Sequence, residues 1–562
     1  MILAEAYERN QSLATQSSQA EIDVNPLLIK ANRLLRPFHM MISRKIYEKE
    51  SKIYFALINT ADSNLAKMNS SWDANDLKYF KILVKAIQES ENDISSVNIR
   101  EKARKFASDA IEVQKKAFMK WGVQCDWNNP YLTYDTDYII NELKMFNQLY
   151  SQGLIFRDKM PIFWSPSTGT ALAEAELQYN PEHISTSVYV RMELTCVPYE
   201  LKEFENLYAI IWTTTPWTLP ANQSIAYSPK DNYSIVKIDN FKYYHFLVAT
   251  DSIAHLQNKF NCPIQIMQTF KGEELRDMMY VSRFDQSSEL PFIEGSSYGN
   301  KQVDVTKGTG LVHNAPNHGL EDYKLALKNN IKLIENFVDE KGNFNNNAGS
   351  QLKGKFVLTE GTQTVIDILG QDVLLKENYK HSYPYDWRSN KPVITLSSQQ
   401  WFINMDLLRN KCIRTLDDVN FWPQFGKELV VQQLANRPHW CISRQRSWGV
   451  PIPVFYLKQD YQGVNPIINN DIFEQILQSF KTHGVNSWWT LPIDQLVSDK
   501  SFAKLGMNFS DLTIGKDIFD IWFDSGLSWS YALPEPKVAD AYIEGVDQCR
   551  GWFQSSLILS VA

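Results

Sequence analysis

The sequence predicts an α/β protein in which a β-rich segment interrupts a mixed helix-and-strand fold, with a small separate module at the N-terminal end. Three observations carry this expectation. Strand-like apolar runs punctuated by Gly, Pro and Asn turns dominate from about Leu177 to Leu375. Helical and strand periodicities alternate on either side of that stretch. The 562 residues suffice for about three or four domains, each large enough to bury a core of its own.

Residues 1 to about 20 are polar and rich in Ser and Gln, and are expected to form a disordered tail. Beyond them, an amphipathic stretch from Ile22, alternating residues over Ile53–Ile58 and helical spacing of Leu77, Phe80, Leu83, Val84 and Ile87 predict a small winged-helix-like fragment. A helix is expected over Ile99–Trp121, stopped by Gly122, and a second over Tyr138–Gln152, capped by Gly153. In the second helix, Ile139, Ile140, Leu143, Phe146 and Leu149 share one face. Strands are expected at Ser187–Met192, Leu207–Trp212, Asp231–Val236, Phe246–Thr250, Gly310–His313 and Lys355–Leu358. The boundaries that follow are 1–97, 98–177, 178–385 for the β-rich insertion, and 386–562.

Composition narrows the class. Hydrophobic residues make up 44% and charged residues 22%, which excludes fibrous and wholly disordered chains. Six cysteines without a C-x-x-C pair argue against a zinc knuckle or a disulfide framework, and favour a reducing compartment. No run of about 18 apolar residues is present, so no membrane partner is expected. The net charge of −7 decides nothing about nucleic acid, because an acidic protein can present local basic strips to phosphates.

Four strings carry chemistry. In Ile211–Asn222 (IWTTTPWTLPAN) a threonine triplet alone reads as a β strand, but hydroxyls gathered on one strand can also hold a water and an ester carbonyl. In Gly308–Tyr323 (GTGLVHNAPNHGLEDY) a strand and turn lead to a helix whose first turn holds Glu321 and Asp322 at the positive end of its dipole. Asn436–Pro453 mixes arginines, His439 and aromatics, as a basic face with buried tryptophan would. Asp520–Gly526 (DIWFDSG) and Tyr542–Trp552 (YIEGVDQCRGW) each read as a strand ending in a glycine turn.

Together these strings resemble the isoleucyl-tRNA synthetases of class I, over about Ile99 to Ala562. In that family the threonine strand is followed by no arginine, unlike in the valyl and leucyl enzymes, and Thr215 stands at that position here. The resemblance implies a Rossmann-type catalytic domain interrupted by a β-rich editing domain. It implies an editing site of Thr213, Thr214, Thr215, Asn222, His313 and Asp322, with His313 near the scissile ester and Asp322 pairing with the substrate ammonium. It also implies an aminoacyl-adenylate pocket of Trp522, Glu544, Gly545, Asp547 and Gln548. The family turn differs at Asn317 and Leu320, and histidine is usual at Cys549. Where bacterial relatives often carry paired zinc-binding cysteines, this chain has Ser165, Ser167, Asp386 and Ser389, so neither zinc nor another protein-bound metal is expected.

The implied partners are tRNA(Ile), isoleucine and ATP, with magnesium accompanying ATP as substrate. Absence of the cysteine pairs suits mitochondrial members, so the mitochondrial matrix is the expected location, with the cytoplasm as alternative. Neither a His-x-Gly-His nor a Lys-Met-Ser-Lys-Ser string occurs, so the catalytic fold is expected to be incomplete and aminoacylation impaired. Leu35–Phe38 with Tyr54–Ala61 and Leu65–Met68 resembles the winged-helix start of the RING-bearing non-SMC element subunit of the SMC-type DNA-repair complex. The expectation is therefore a chimeric, truncated gene product joined near Val97–Arg100. The function that the resemblance implies is ATP-dependent attachment of isoleucine to tRNA(Ile) with hydrolysis of misattached valine; the alternative is a non-catalytic interaction protein, or a chimeric product with only editing and tRNA-binding capacity, with repair-complex partners for residues 1–97 only if the fusion is genuine.

Overall fold

The computed structural model describes residues 96–297, 300–301, 303–460, 463–534 and 537–562. The winged-helix-like fragment expected over 1–97 lies outside the described residues except for Ser96 and Val97, which begin the first helix, Ser96–Lys120. Gly122, at φ 78°, ends the chain's excursion along that helix, and Gly153, at φ 72°, follows the second, Thr136–Ser151. In the latter, Tyr138, Ile139, Ile140, Leu143, Phe146 and Leu149 are all buried, the stripe that the helical spacing requires.

Two sheets organise the rest. A four-stranded antiparallel sheet runs in the order Trp440–Cys441, Ile394–Ile403, Ile155–Ser165, Thr170–Leu172. Its two long strands pair from Ile155 opposite Ile403 to Trp164 opposite Ile394. The chain thus leaves this sheet after Leu172 and returns to it at Ile394, and everything between belongs to the β-rich insertion. That insertion holds an eleven-stranded sheet built on one long strand, Leu177–Cys196, which pairs with Val373–Asp386, Leu207–Thr213 and Met279–Ser282.

The strand Leu207–Thr213 is buried on both faces. Ala209 and Ile211 face one core with Val188, Val190 and Leu247, whereas Ile210 faces another with Phe246, Val248 and the helix Ile253–Phe260. A strand covered on both sides needs a continuous apolar run rather than alternation, which is what LYAIIWT supplies. Residues on the far side of the insertion form a third core, in which Trp401, Phe519 and Phe523 meet the helices Met405–Thr415, Asn470–His483 and Trp552–Val561.

Three local expectations are corrected, the briefest being Tyr542–Trp552, which holds no strand: Val546–Arg550 makes a short helical turn and Trp552 begins the helix Trp552–Val561. Lys355–Leu358 is not a strand: Val357–Gly361 makes a wide π turn leading into the helix Thr362–Leu369. The Val357 and Phe356 carbonyls are taken by local donors, Thr362 Oγ1 to Val357 O at 2.7 Å and Gly361 N to Phe356 O at 2.8 Å, so pairing stops at a single bridge between Phe356 and Asn343. Asp520–Gly526 is likewise not a strand end. Asp520 caps a short helix, Ile521–Gly526, by accepting from Trp522 N at 3.3 Å.

Candidate active sites

Thr213 closes the strand Leu207–Thr213, and the chain then turns through a short helix, Pro216–Ala221, that Pro216 starts. Thr215 N donates to Thr213 Oγ1 at 3.1 Å, and the two threonine hydroxyls lie 3.3 Å apart. One turn later Thr218 and Asn222 meet His313, which comes from the strand Val312–Asn314 on the sheet's edge. Thr218 Oγ1 lies 2.9 Å from His313 Nε2, and Asn222 Nδ2 donates to His313 Nδ1 at 2.6 Å. Asn222 Oδ1 in turn accepts from the buried Tyr280 hydroxyl.

Thr218, His313, Asn222 and Tyr280, drawn from three separate stretches of chain, therefore form one hydrogen-bonded run of side chains, with His313 only 8% exposed. Burial, reinforced by neighbouring His318, pushes the His313 imidazolium down to about 3, so the ring is neutral under physiological conditions. His318 is pushed down to about 4 by burial; its Nδ1 donates to Thr395 O at 3.0 Å and its ring stands edge-on to Trp217. Asp322 lies in the first turn of the helix Leu320–Lys328, and its Oδ2 accepts from Ala315 N at 2.9 Å, two residues beyond His313. That bond orients the carboxylate beside the cluster. Thr214 sits between Thr213 and Thr215, partly exposed, and is not part of the hydrogen-bonded chain.

The turn that departs from the family pattern is held by its own substitution. Asn317 donates from Nδ2 to Ile334 O at 2.9 Å and accepts on its carbonyl from Ser397 N at 2.9 Å, fastening the loop to the four-stranded sheet.

The second group is assembled more openly. Trp522 and Gln548 flank Gly551, where a Cβ would come within 3.0 Å of the Trp522 ring and 2.6 Å of Gln548 Oε1. Gln548 Oε1 accepts from Trp552 N at 2.9 Å, and its Nε2 donates to Asp547 Oδ2 at 3.0 Å. Tyr542 stacks on Trp552 at 4.6 Å, which anchors the loop that carries Glu544 and Gly545. Glu544 itself is exposed and is not tied to Trp522 by any of these contacts. Cys549 is buried, its thiol against Gly426 O, so the residue at the usual histidine position faces the core and not the loop.

Beneath this group lies a buried triad. Arg444 Nη2 is 2.8 Å from Glu176 Oε2 and 3.1 Å from Asp520 Oδ2, and Trp440 Nε1 donates to the same Asp520 oxygen at 2.9 Å. Burial would weaken the Arg444 charge, but the two carboxylates hold its pKa above the ordinary value. Asp520 thus connects the triad to the helix that bears Trp522. Asp524 of that helix and Glu142 of the helix Thr136–Ser151 form a second buried acidic pair, and burial pushes Asp524 up to about 7.

The family model described as tRNA synthetases class I (I, L, M and V) matches residues 64–562. The chain belongs to the class I tRNA synthetases. The match starts ahead of the boundary expected near residue 97. Among curated relatives, the synthetase chain is 42% identical over 502 residues to the mitochondrial isoleucine–tRNA ligase of Macaca fascicularis, covering 87% of this chain and 49% of that protein. It is 40% identical over 513 residues to the isoleucine–tRNA ligase of Prochlorococcus marinus strain MIT 9301, covering 87% of this chain and 51% of that protein. The chain spans about half the length of these relatives. A solved leucyl-tRNA synthetase from Agrobacterium radiobacter, in a ternary complex with tRNA and LeuAMS, aligns over 82% of this chain at 16% identity and a TM-score of 0.29.

The four synthetase residues expected in place of zinc ligands also converge. Ser165 Oγ donates to Asp386 Oδ2 at 2.8 Å, Ser389 Oγ donates to the same oxygen at 3.0 Å, and Ser167 and Ser389 hydroxyls are 2.8 Å apart. Burial raises the Asp386 carboxyl, but donors from Arg388 N, Ser165, Thr168 and Ser389 outweigh it and hold the group below its ordinary range. Hydroxyls with a single carboxylate, and no thiolate or imidazole, make a poor zinc donor set. Among the described residues, no group of three or more His, Cys, Asp or Glu stands where it could hold a metal ion.

Sequence reasoning missed Thr218 and Tyr280. Thr218 lay within the motif, four residues before Asn222, a helical spacing that could have singled it out. Tyr280 sits on another strand, 58 residues from Asn222, and no local pattern announces it.

Proposed function

We propose that this chain is the editing-bearing portion of an isoleucine-specific synthetase, and that its threonine–histidine cluster hydrolyses valine misattached to tRNA(Ile). The full reaction of the family would be ATP-dependent ligation of isoleucine to tRNA(Ile), with ATP and magnesium as substrates and with Trp522, Glu544, Gly545, Asp547 and Gln548 around the aminoacyl-adenylate. The names of the mitochondrial relatives favour the mitochondrial matrix. Residues 178–385 would form the editing domain, with 98–177 and 386–562 as the flanking parts of the catalytic domain.

The observation that carries the reading is the convergence of Thr213, Thr215, Thr218, Asn222 and His313 beside the oriented carboxylate of Asp322. Asp322 would hold the ammonium of the aminoacyl group, a charge-assisted contact that any amino acid ester presents. The threonine hydroxyls would position a water against the ester carbonyl. Water oxygen bonds to the carbonyl carbon, the bond from that carbon to the ribose oxygen breaks, and a proton passes to the ribose oxygen, giving valine and tRNA. A second site is needed because one methylene in an apolar pocket distinguishes substrates by only about 1–3 kcal/mol, isoleucine against valine being the known case.

The test is deacylation of Val-tRNA(Ile) by the full chain. Hydrolysis is expected, falling about 100-fold in Asp322→Ala, the scale of losing one group that meets the transition state, and about tenfold in His313→Ala, which breaks the hydrogen-bonded cluster. No hydrolysis, or rates indifferent to both substitutions, would sink the editing function.

A further inference from the structure

The hydrogen bonds around His313 have a direction, and it is imposed from the two ends. Asn222 Nδ2 lies 3.0 Å from the Ser224 carbonyl, 3.4 Å from the Asn314 carbonyl and 2.6 Å from His313 Nδ1. Carbonyls only accept, so the amide nitrogen must face this side, and His313 Nδ1 must offer it a lone pair. The amide oxygen then faces the Tyr280 hydroxyl, which donates to it. At the other end Thr218 Oγ1 donates to the Thr215 carbonyl at 2.9 Å, so the lone pairs of that hydroxyl face His313 Nε2, which must carry the proton.

Tyr280 closes the arrangement. It is fully buried on the strand Met279–Ser282, its ring edge-on to Phe292, and burial holds its phenol well above the ordinary range, so it stays a donor. Asn222 cannot flip to relieve a lost partner, since that would set its oxygen against two carbonyl oxygens. Without the Tyr280 hydroxyl the amide oxygen is left buried and unpaired, and the side chain must swing toward another donor.

We propose that Tyr280 is a positioning residue of the hydrolytic site: its hydroxyl holds Asn222, and through Asn222 it fixes His313 as the neutral Nε2–H tautomer, a hydrogen-bond donor rather than a general base. This rests on the hydrolytic function proposed above. The lone pair of Nδ1 is consumed by Asn222 and Nε2 carries a proton, so His313 has no acceptor with which to take a proton from the attacking water. Its work is to orient the Thr218 hydroxyl.

The test uses the full chain with ring-labelled [15N]histidine, His313 being assigned by the signal lost in His313→Gln. The wild type should show one Nε2–H tautomer for His313. Tyr280→Phe should show mixed tautomers and lower kcat for Val-tRNA(Ile) deacylation about tenfold with KM unchanged, the scale of one hydrogen bond. Phe292→Leu, which disturbs the packing of the same ring but no hydroxyl, should leave the tautomer as in the wild type. A wild-type His313 that is protonated on Nδ1 overturns the proposal without need of any variant, and so does a Tyr280→Phe protein that keeps the wild-type tautomer. If the tautomer shifts but the wild type hydrolyses no ester, the link from Tyr280 to His313 stands and the hydrolytic function falls.

Discussion

The two candidate sites of this chain bury charge in opposite ways. Around His313 the side chains of Thr218, Asn222 and Tyr280 are neutral and hydrogen-bonded to one another through the ring, and burial merely keeps the imidazole uncharged. Under Trp522 the fold instead confines ions and acids: the Arg444 triad with Glu176 and Asp520, and the Glu142–Asp524 pair, all nearly inaccessible to solvent. A neutral network costs little to bury and fixes proton positions, whereas a buried charge is tolerated only while its counter-charge is in place. The first site should therefore be robust and chemically pre-set, and the second dependent on a few ion pairs.

The largest expected effect breaks that dependence. Arg444→Leu leaves two buried carboxylates without their cation and should destabilise the core around Trp401, Phe519 and Phe523 by about 3–5 kcal/mol. In urea, followed by tryptophan fluorescence, one transition should move while the transition of the β-rich insertion and deacylation of Val-tRNA(Ile) stay put. If both transitions move together, the regions are one cooperative unit and the contrast between them fails.

A smaller loss is expected at the boundary of the insertion. Asp386→Ala strands the donors of Ser165, Thr168, Ser389 and Arg388, at a cost of about 1–3 kcal/mol in thermal unfolding. Chelators should leave the melting temperature of the wild type unchanged, and a chelator-sensitive melting temperature would show that a metal, not these hydrogen bonds, holds the junction.

The smallest effect sharpens the acid side of the comparison. The Asp524 carboxyl, raised by burial from 3.8 to about 7, binds its proton more tightly in the folded chain than in the unfolded one. Its contribution to stability is therefore complete below about pH 4 and is lost as pH rises through about 7. His313, lowered from 6.5 to about 3, acts with the opposite sign: its contribution is present above about 6.5 and lost as pH falls toward 3. Asp524→Asn should flatten the decline between pH 4 and 8 and add on the order of 1 kcal/mol at pH 8. An unchanged stability–pH curve in that variant would place the proton elsewhere.

How much of this was legible in the sequence depends on how locally each feature is encoded. The helix Thr136–Ser151 and the strand Leu207–Thr213 announce themselves, because a stripe of apolar residues or a continuous apolar run is read over a few turns of chain. Thr213, Thr215, Asn222, His313 and Asp322 were legible as a set because their two strings are distinctive. Lys355–Leu358 misled, since four strand-prone residues cannot reveal that nearby hydroxyl and glycine donors will take their carbonyls. Asp520–Trp522 misled for a related reason: a side-chain cap on an aspartate turned an apparent strand end into a helix start. Tyr280 was invisible, because its role exists only once the strand Met279–Ser282 is paired beside Leu177–Cys196.

The Asp386 junction ties the turn between Ile155–Ser165 and Thr170–Leu172 of the four-stranded sheet to the end of the strand Val373–Asp386 of the insertion. A metal clip at such a place is all or nothing, closed while the ion is supplied and open once it is withdrawn. A knot of hydroxyls on one carboxylate yields by degrees as acid takes the carboxylate's charge, since its low pKa means that stability is lost only as pH falls through that value. The insertion is thus tethered by a fastening that answers to acidity.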